Sequence, residues 1–131
     1  MIALAGALAL VAGCGTPSAD LFVVTRDGES PGAELTLLVT DGGGARCNGA
    51  PARPIGSAGL IEARALARQL IPEATRGLAL PSAAGSQLRY RVRLAAGTVT
   101  FSDNSPGRSK LLSRIAALTR DIAIRVCRLR R

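Results

Sequence analysis

With 131 residues, 47% of them hydrophobic, the chain is long enough for one compact domain with a modest core and too short for two. Only Phe22, Tyr90 and Phe101 are aromatic, so the core is expected to be aliphatic. The absence of histidine excludes Ser-His and Cys-His nucleophiles and histidine-containing metal sites, three cysteines exclude a four-cysteine zinc site, and a net charge of +8 points to anionic partners.

The chain opens on an apolar run, Ile2–Ala12, which has about the length of a signal-peptide core and falls short of the ~20 residues that span a bilayer. The run ends at Val11-Ala12-Gly13-Cys14, which resembles the lipobox of bacterial lipoprotein precursors. There the small residues suit the peptidase, and the new N-terminal cysteine carries lipid. The resemblance implies a signal peptide over 1–13, lipid attachment at Cys14, a flexible tether over 14–19 and a single exported domain over 20–131, anchored to the outer face of the cell membrane. No Lys or Arg precedes Cys14, although signal peptides usually open on a positive segment; the start then lies upstream of Met1, or the signal is inefficient. The competing reading is a buried N-terminal helix, but the run offers solvent no polar face.

Residues 20–26 are rich in Val, Leu and Phe and end at Asp27-Gly28, the pattern of a strand and a turn. Leu35, Leu37 and Val39 alternate with polar neighbours as a second strand, interrupted only by Leu38. Asp41-Gly42-Gly43-Gly44 then turns the chain into a short third strand over 45–48. The glycine cluster is read as a turn, because a phosphate cradle leads into a helix and here a strand follows. A Pro- and Gly-containing linker over 49–57 precedes a helix over 58–71, with Leu60, Ala63, Ala67, Leu70 and Ile71 on one side and Pro72 as its limit. Residues 73–87 read as a surface connection. Leu88–Leu94 is the clearest strand: Leu88, Tyr90, Val92 and Leu94 face one way, and Arg89, Arg91 and Arg93 the other. Its expected hairpin partner is Thr98–Ser102, registered so that Val92 meets Val99 and Tyr90 meets Phe101, with Gly97 supplying a positive φ. Ser105 as N-cap and Pro106 at the first helical position would start a last helix over 107–128, whose apolar stripe runs from Leu111 to Cys127.

The order strand, strand, strand, helix, strand, strand, helix predicts an α+β domain: an antiparallel sheet of about five strands with two helices on one face. The other face is then open, and Arg89, Arg91 and Arg93 stand on it. With Cys14 assigned to lipid, Cys47 and Cys127 are the even pair that an oxidising exterior joins as a disulfide; the alternative is two unrelated buried thiols. The placement of Cys127 on the buried stripe supports the pairing.

The mature region resembles small exported lipoproteins of actinomycetes, most closely in Asp20-Leu21-Phe22-Val23-Val24-Thr25-Arg26, Leu88-Arg89-Tyr90-Arg91-Val92-Arg93 and Phe101-Ser102-Asp103-Asn104-Ser105. Sixteen arginines against the single Lys110, with abundant Ala and Gly, fit a GC-rich genome. The resemblance implies export and lipidation and brings no activity with it. Ser102-Asp103-Asn104 coincides with a motif of penicillin-recognising serine enzymes, but their Ser-x-x-Lys and Lys-Thr-Gly segments are missing, and the triplet reads as a turn.

Charge is divided along the chain: residues 1–87 carry six basic and seven acidic side chains, and residues 88–131 carry eleven and two. The candidate anion contacts are Arg89, Arg91 and Arg93 on the strand and Lys110, Arg114, Arg125 and Arg128 along the last helix. Such surfaces attract phospholipid head groups, anionic wall polymers or an acidic protein, while a solvated face is the plain alternative. Nucleic acid is not expected, given the compartment and the scarcity of aromatics for base stacking. No catalytic residue, metal or cofactor is expected, and nothing in the sequence speaks to oligomeric state. The expectation is a membrane-tethered, non-enzymatic binding module, with a regulatory or inhibitory lipoprotein acting on an exported enzyme as the alternative.

Overall fold

A computed structural model describes residues 19–129. The expected signal peptide over 1–13, the expected lipid attachment at Cys14, all but the last residue of the expected tether, and Arg130 and Arg131 lie outside the described residues. Six antiparallel strands form one sheet: β1 (Asp20–Gly28), β2 (Leu35–Thr40), β3 (Gly44–Cys47), β4 (Arg53–Pro54), β5 (Leu88–Leu94) and β6 (Gly97–Ser102), ordered β4-β3-β2-β1-β5-β6. β1 is central because it is the longest strand and turns Phe22 and Val24 toward the core, so β2 and β5 can both pair with it. The architecture is the expected α+β class.

The three helices are α1 (Gly56–Gln69), the short α2 (Ile71–Thr75) and α3 (Lys110–Arg125). The core lies between sheet and helices. Phe22, Val24, Leu37, Val39, Val92 and Val99 project from the sheet, and Leu66, Leu70, Leu112, Ile115 and Ile122 meet them; all are fully or almost fully buried. Removing any of the larger aliphatic groups would cost about 2–5 kcal/mol, lost transfer energy plus the cavity left behind. Tyr90 and Phe101 stack across the β5–β6 pair with centroids 4.9 Å apart.

The β5–β6 register is the expected one, with Val92 opposite Val99, Tyr90 opposite Phe101, Arg91 opposite Thr100 and Arg89 opposite Ser102. Gly97 has φ +149°, and a Cβ there would lie 2.1 Å from the Ala74 carbonyl oxygen, so close helix-to-sheet approach as well as backbone conformation demands glycine.

Several boundaries differ from expectation. The linker over 49–57 contributes β4, so the sheet has six strands. α1 ends at Gln69, and Pro72, which lacks a donor, sits in the first turn of α2. That break turns Ile71 outward to 48% exposure, although the helical stripe placed it inside. Residues 73–87 are more than a surface connection: besides α2 they supply Leu78–Leu80, which lies along β6. Leu80 N donates to Thr100 O and Thr100 N to Leu78 O, both at 2.9 Å, and this covers the sheet edge.

The last helix starts at Lys110 rather than near 107, and Ser109, not Ser105, is its N-cap, its Oγ accepting from Leu112 N. Ser105 is drawn away because its Oγ accepts from Ser102 N at 2.8 Å, which closes a tight turn after β6. α3 also ends three residues early. Cys127 follows it and forms a disulfide with Cys47 at the end of β3, with a Cα–Cα distance of 5.7 Å, so the sheet edge and the chain end are tied together.

Candidate functional site

The open face of the sheet is built by strand alternation. On β1 the inward residues are Phe22, Val24 and Arg26, so Val23, Thr25 and Asp27 point outward, while Leu21, at an irregularity in the β1–β2 register, packs against the core. On β5, Tyr90, Val92 and Leu94 are buried, and Arg89, Arg91 and Arg93 stand exposed. The registers set these outward residues in rows across the sheet. One row runs Arg46, Leu38, Val23, Arg93, Thr98; the next runs Thr36, Thr25, Arg91, Thr100; the third brings Asp27 beside Arg89.

The three strand arginines are not equivalent. Arg89 Nε donates to Asp27 Oδ1 at 2.7 Å, and this cross-strand ion pair largely neutralises its row. Arg91 and Arg93 stand between threonines and apolar residues, with no carboxylate partner among the described residues. Arg91 also lies between two depressions. One, of about 450 Å³, is lined by Thr25, Asp27, Leu80, Ser82, Arg89 and Arg91. The other, of about 600 Å³, is lined by Arg76, Gly77, Arg91, Thr98 and Thr100.

The helix-borne candidates stand apart from this face. Arg114 is held between helices: Nε and Nη2 donate to the two carboxylate oxygens of Glu62 at 2.9 and 3.1 Å, and Nη1 donates to Gln69 Oε1 at 2.9 Å. The Glu62 carboxylate, as hydrogen-bond acceptor, raises the guanidinium pKa further above its ordinary value. Arg125 pairs with Asp121 at 3.2 Å, one turn earlier on the same helix. Lys110 is exposed at the start of α3, and Arg128, exposed with φ +57°, follows its end. The seven candidates thus form no single patch. Arg91 and Arg93 make one compact cationic site; Lys110 and Arg128 are separated at opposite ends of α3; and Arg89, Arg114 and Arg125 are paired with carboxylates.

Ser102, Asp103 and Asn104 hold a turn together. Ser102 Oγ donates to Asn104 Oδ1 at 2.9 Å, Asp103 Oδ1 accepts from Ser86 Oγ and Gln87 N, and Asn104 Nδ2 donates to the carbonyls of Ala83 and Ala84. Their polar atoms fasten residues 83–87 to the end of β6. Among the described residues no group of three or more Cys, Asp or Glu side chains is placed to hold a metal ion.

Two further basic residues, Arg46 and Arg26, are not among the expected anion contacts. Arg46 joins the open face because β3 pairs with β2 so that Arg46 meets Leu38, and a short strand gives no alternation from which to infer this. Arg26 lies on the buried side, 6% exposed; its signal was its parity with Phe22 and Val24, four and two residues before it. No helix among the described residues is long and apolar enough to cross a membrane. Compared with known families, curated proteins and solved structures, the chain matches none.

Proposed function

We propose that the protein is a lipid-anchored, non-enzymatic binding module on the outer face of the cell membrane, and that the open sheet face, through Arg91 and Arg93, contacts anionic phospholipid head groups. The observation that carries this reading is the exposed pair of arginines without carboxylate partners in adjacent rows of the sheet, Arg93 in the row of half-buried Val23 and Leu38 that ends at Arg46, and Arg91 between Thr25 and Thr100. Such a row presents cationic heads above an apolar strip, a pattern that suits the boundary between head groups and water.

The position of the anchor supports the same reading. Arg93 lies opposite Val23, near the start of β1, and the six-residue path from Cys14 to Asp20 spans at most about 20 Å when extended. A lipid on Cys14 would keep this end of the sheet close to the bilayer. A basic patch beside the lipid adds electrostatic attraction to the anchor and fixes which face of the domain meets the bilayer. The alternative of an inhibitory lipoprotein acting through residues 78–86 has less support, because Leu78 and Leu80 turn inward against the core.

Among the described residues the core runs from Leu21 to Leu129, and residues 15–131 contain all of it. Sedimentation of residues 15–131 with phosphatidylglycerol vesicles, compared with phosphatidylcholine vesicles, tests the proposal. Binding confined to the anionic vesicles and lost with added salt is expected. Equal binding to both, or none to either, contradicts it, and the absence of binding would turn attention to an acidic protein or wall polymer.

A further inference from the structure

On the helix side of the sheet, away from Arg91 and Arg93, a cavity of about 180 Å³ lies between the loop after β1 and α3. Its walls are apolar at Pro31, Leu88, Ala123 and Ile124, and its charged members are Arg26 and Arg120. No carboxylate lines it.

Arg26 is the unusual member. Strand alternation puts it inside, beside the core, and only 6% of its surface remains exposed. Nε donates to Ala33 O and Nη2 to Gly32 O, both at 2.8 Å. A guanidinium has five N–H donors and a full positive charge, so these two neutral carbonyls leave donors to spare and the charge uncompensated. No Asp or Glu among the described residues forms an ion pair with it. The Tyr90 hydroxyl lies within hydrogen-bonding reach of the Arg26 guanidinium and so can occupy one further donor, but a neutral phenol supplies no counter-charge. Burial of an unpaired cation is unfavourable, and an anion that binds beside it offsets that cost.

We infer that this cavity is a binding site for a small monocarboxylate with a short apolar tail. The carboxylate would take the free donors of Arg26, with Arg120 at the mouth, and the tail would lie against Leu88, Ala123 and Ile124. The volume matches the scale of cavities that take a six-carbon molecule such as benzene, roughly 150 Å³. The inference does not depend on membrane contact by the open face.

Residues 15–131 titrated with hexanoate, hexanol and sulfate, with backbone amide NMR signals as the readout, provide the test. Hexanoate is expected to shift the signals of 30–33 and 120–124 saturably, while hexanol, which lacks the charge, and sulfate, which lacks the tail, bind at least tenfold more weakly. Arg120→Ala, a change at an exposed position, should weaken hexanoate roughly tenfold. Ile124→Trp should block it by filling the cavity, and Arg26→Met should abolish it. Hexanol equal to hexanoate would reduce the site to an apolar void, sulfate equal to hexanoate would reduce it to general attraction of anions, and hexanoate binding unchanged in Arg120→Ala and Ile124→Trp would place the ligand elsewhere. Each of these outcomes, or the absence of any shift, overturns the inference.

Discussion

Tyr90 is the single tyrosine of the chain, so the tyrosinate absorbance that grows in at alkaline pH reports its phenol alone. Burial raises its pKa above the ordinary 10.0, partly offset by the nearby Arg26 charge. Because the folded value is the higher one, the unfolded chain releases this proton first. The Tyr90 contribution to stability is therefore complete below about pH 10 and is lost as pH rises through the folded value. The expected titration shows tyrosinate appearing only above pH 10 and together with unfolding; a simple titration at the ordinary value in the folded protein would contradict the buried placement. At the same scale, the Arg114–Glu62 bridge is more than a third exposed on both sides. Glu62→Gln is expected to cost under about 1 kcal/mol in urea denaturation, despite the good geometry.

At the scale of elements, Gly97 and Ser109 are the decisive joints. Gly97→Ala forces a methyl group into the Ala74 carbonyl and should cost about 2–3 kcal/mol, whereas Gly85→Ala, with open space around it, should cost only the strain of its positive φ, about 1 kcal/mol. Equilibrium unfolding of the two variants checks the difference. Ser109→Ala should lose about 1 kcal/mol as a helix cap, and Pro106→Ala, on the exposed turn, less than half of that. Reversal of this order would restore the cap at Ser105. These joints also mark what could be read from sequence. The β5–β6 hairpin was legible to the register, because strict alternation from Leu88 to Leu94 admits one apolar pairing. The start of α3 was not, because Ser105 and Ser109 both suit a cap and only the turn held by Ser102 decides between them. β4 and the Leu78–Leu80 edge were hidden because two or three residues show no period. On the candidate site, outward alternation identified Arg91 and Arg93, but the Asp27 pairing that neutralises Arg89 depends on β1 lying beside β5, a non-local fact.

For the whole molecule, the Cys47–Cys127 disulfide closes a loop of 80 residues and secures the end of α3 to the edge of the sheet. In the chain-entropy view such a closure is worth about 4–5 kcal/mol, a large share of the 5–15 kcal/mol typical of a whole domain. Cys47→Ser with Cys127→Ser should therefore lower the urea midpoint sharply; an unfolding free energy within a few tenths of a kcal/mol of the parent would mean that core packing suffices. Charge is distributed asymmetrically over the described residues: the sheet face has exposed Arg91 and Arg93 without carboxylate partners, while the helix-borne Arg114 and Arg125 are paired and Lys110 and Arg128 stand apart. Net charge alone cannot distinguish these surfaces, but two double variants of equal charge can. The most direct measurement is the partitioning of residues 15–131 onto phosphatidylglycerol vesicles at rising salt, for the parent, for Arg91→Ser with Arg93→Ser, and for Arg125→Ser with Arg128→Ser. At low salt the sheet-face variant is predicted to lose about 2 kcal/mol, roughly thirtyfold in affinity, and most of its salt dependence, while the helix variant stays near the parent. Equal losses in both variants, or none in the first, would contradict the sheet face as the contact surface.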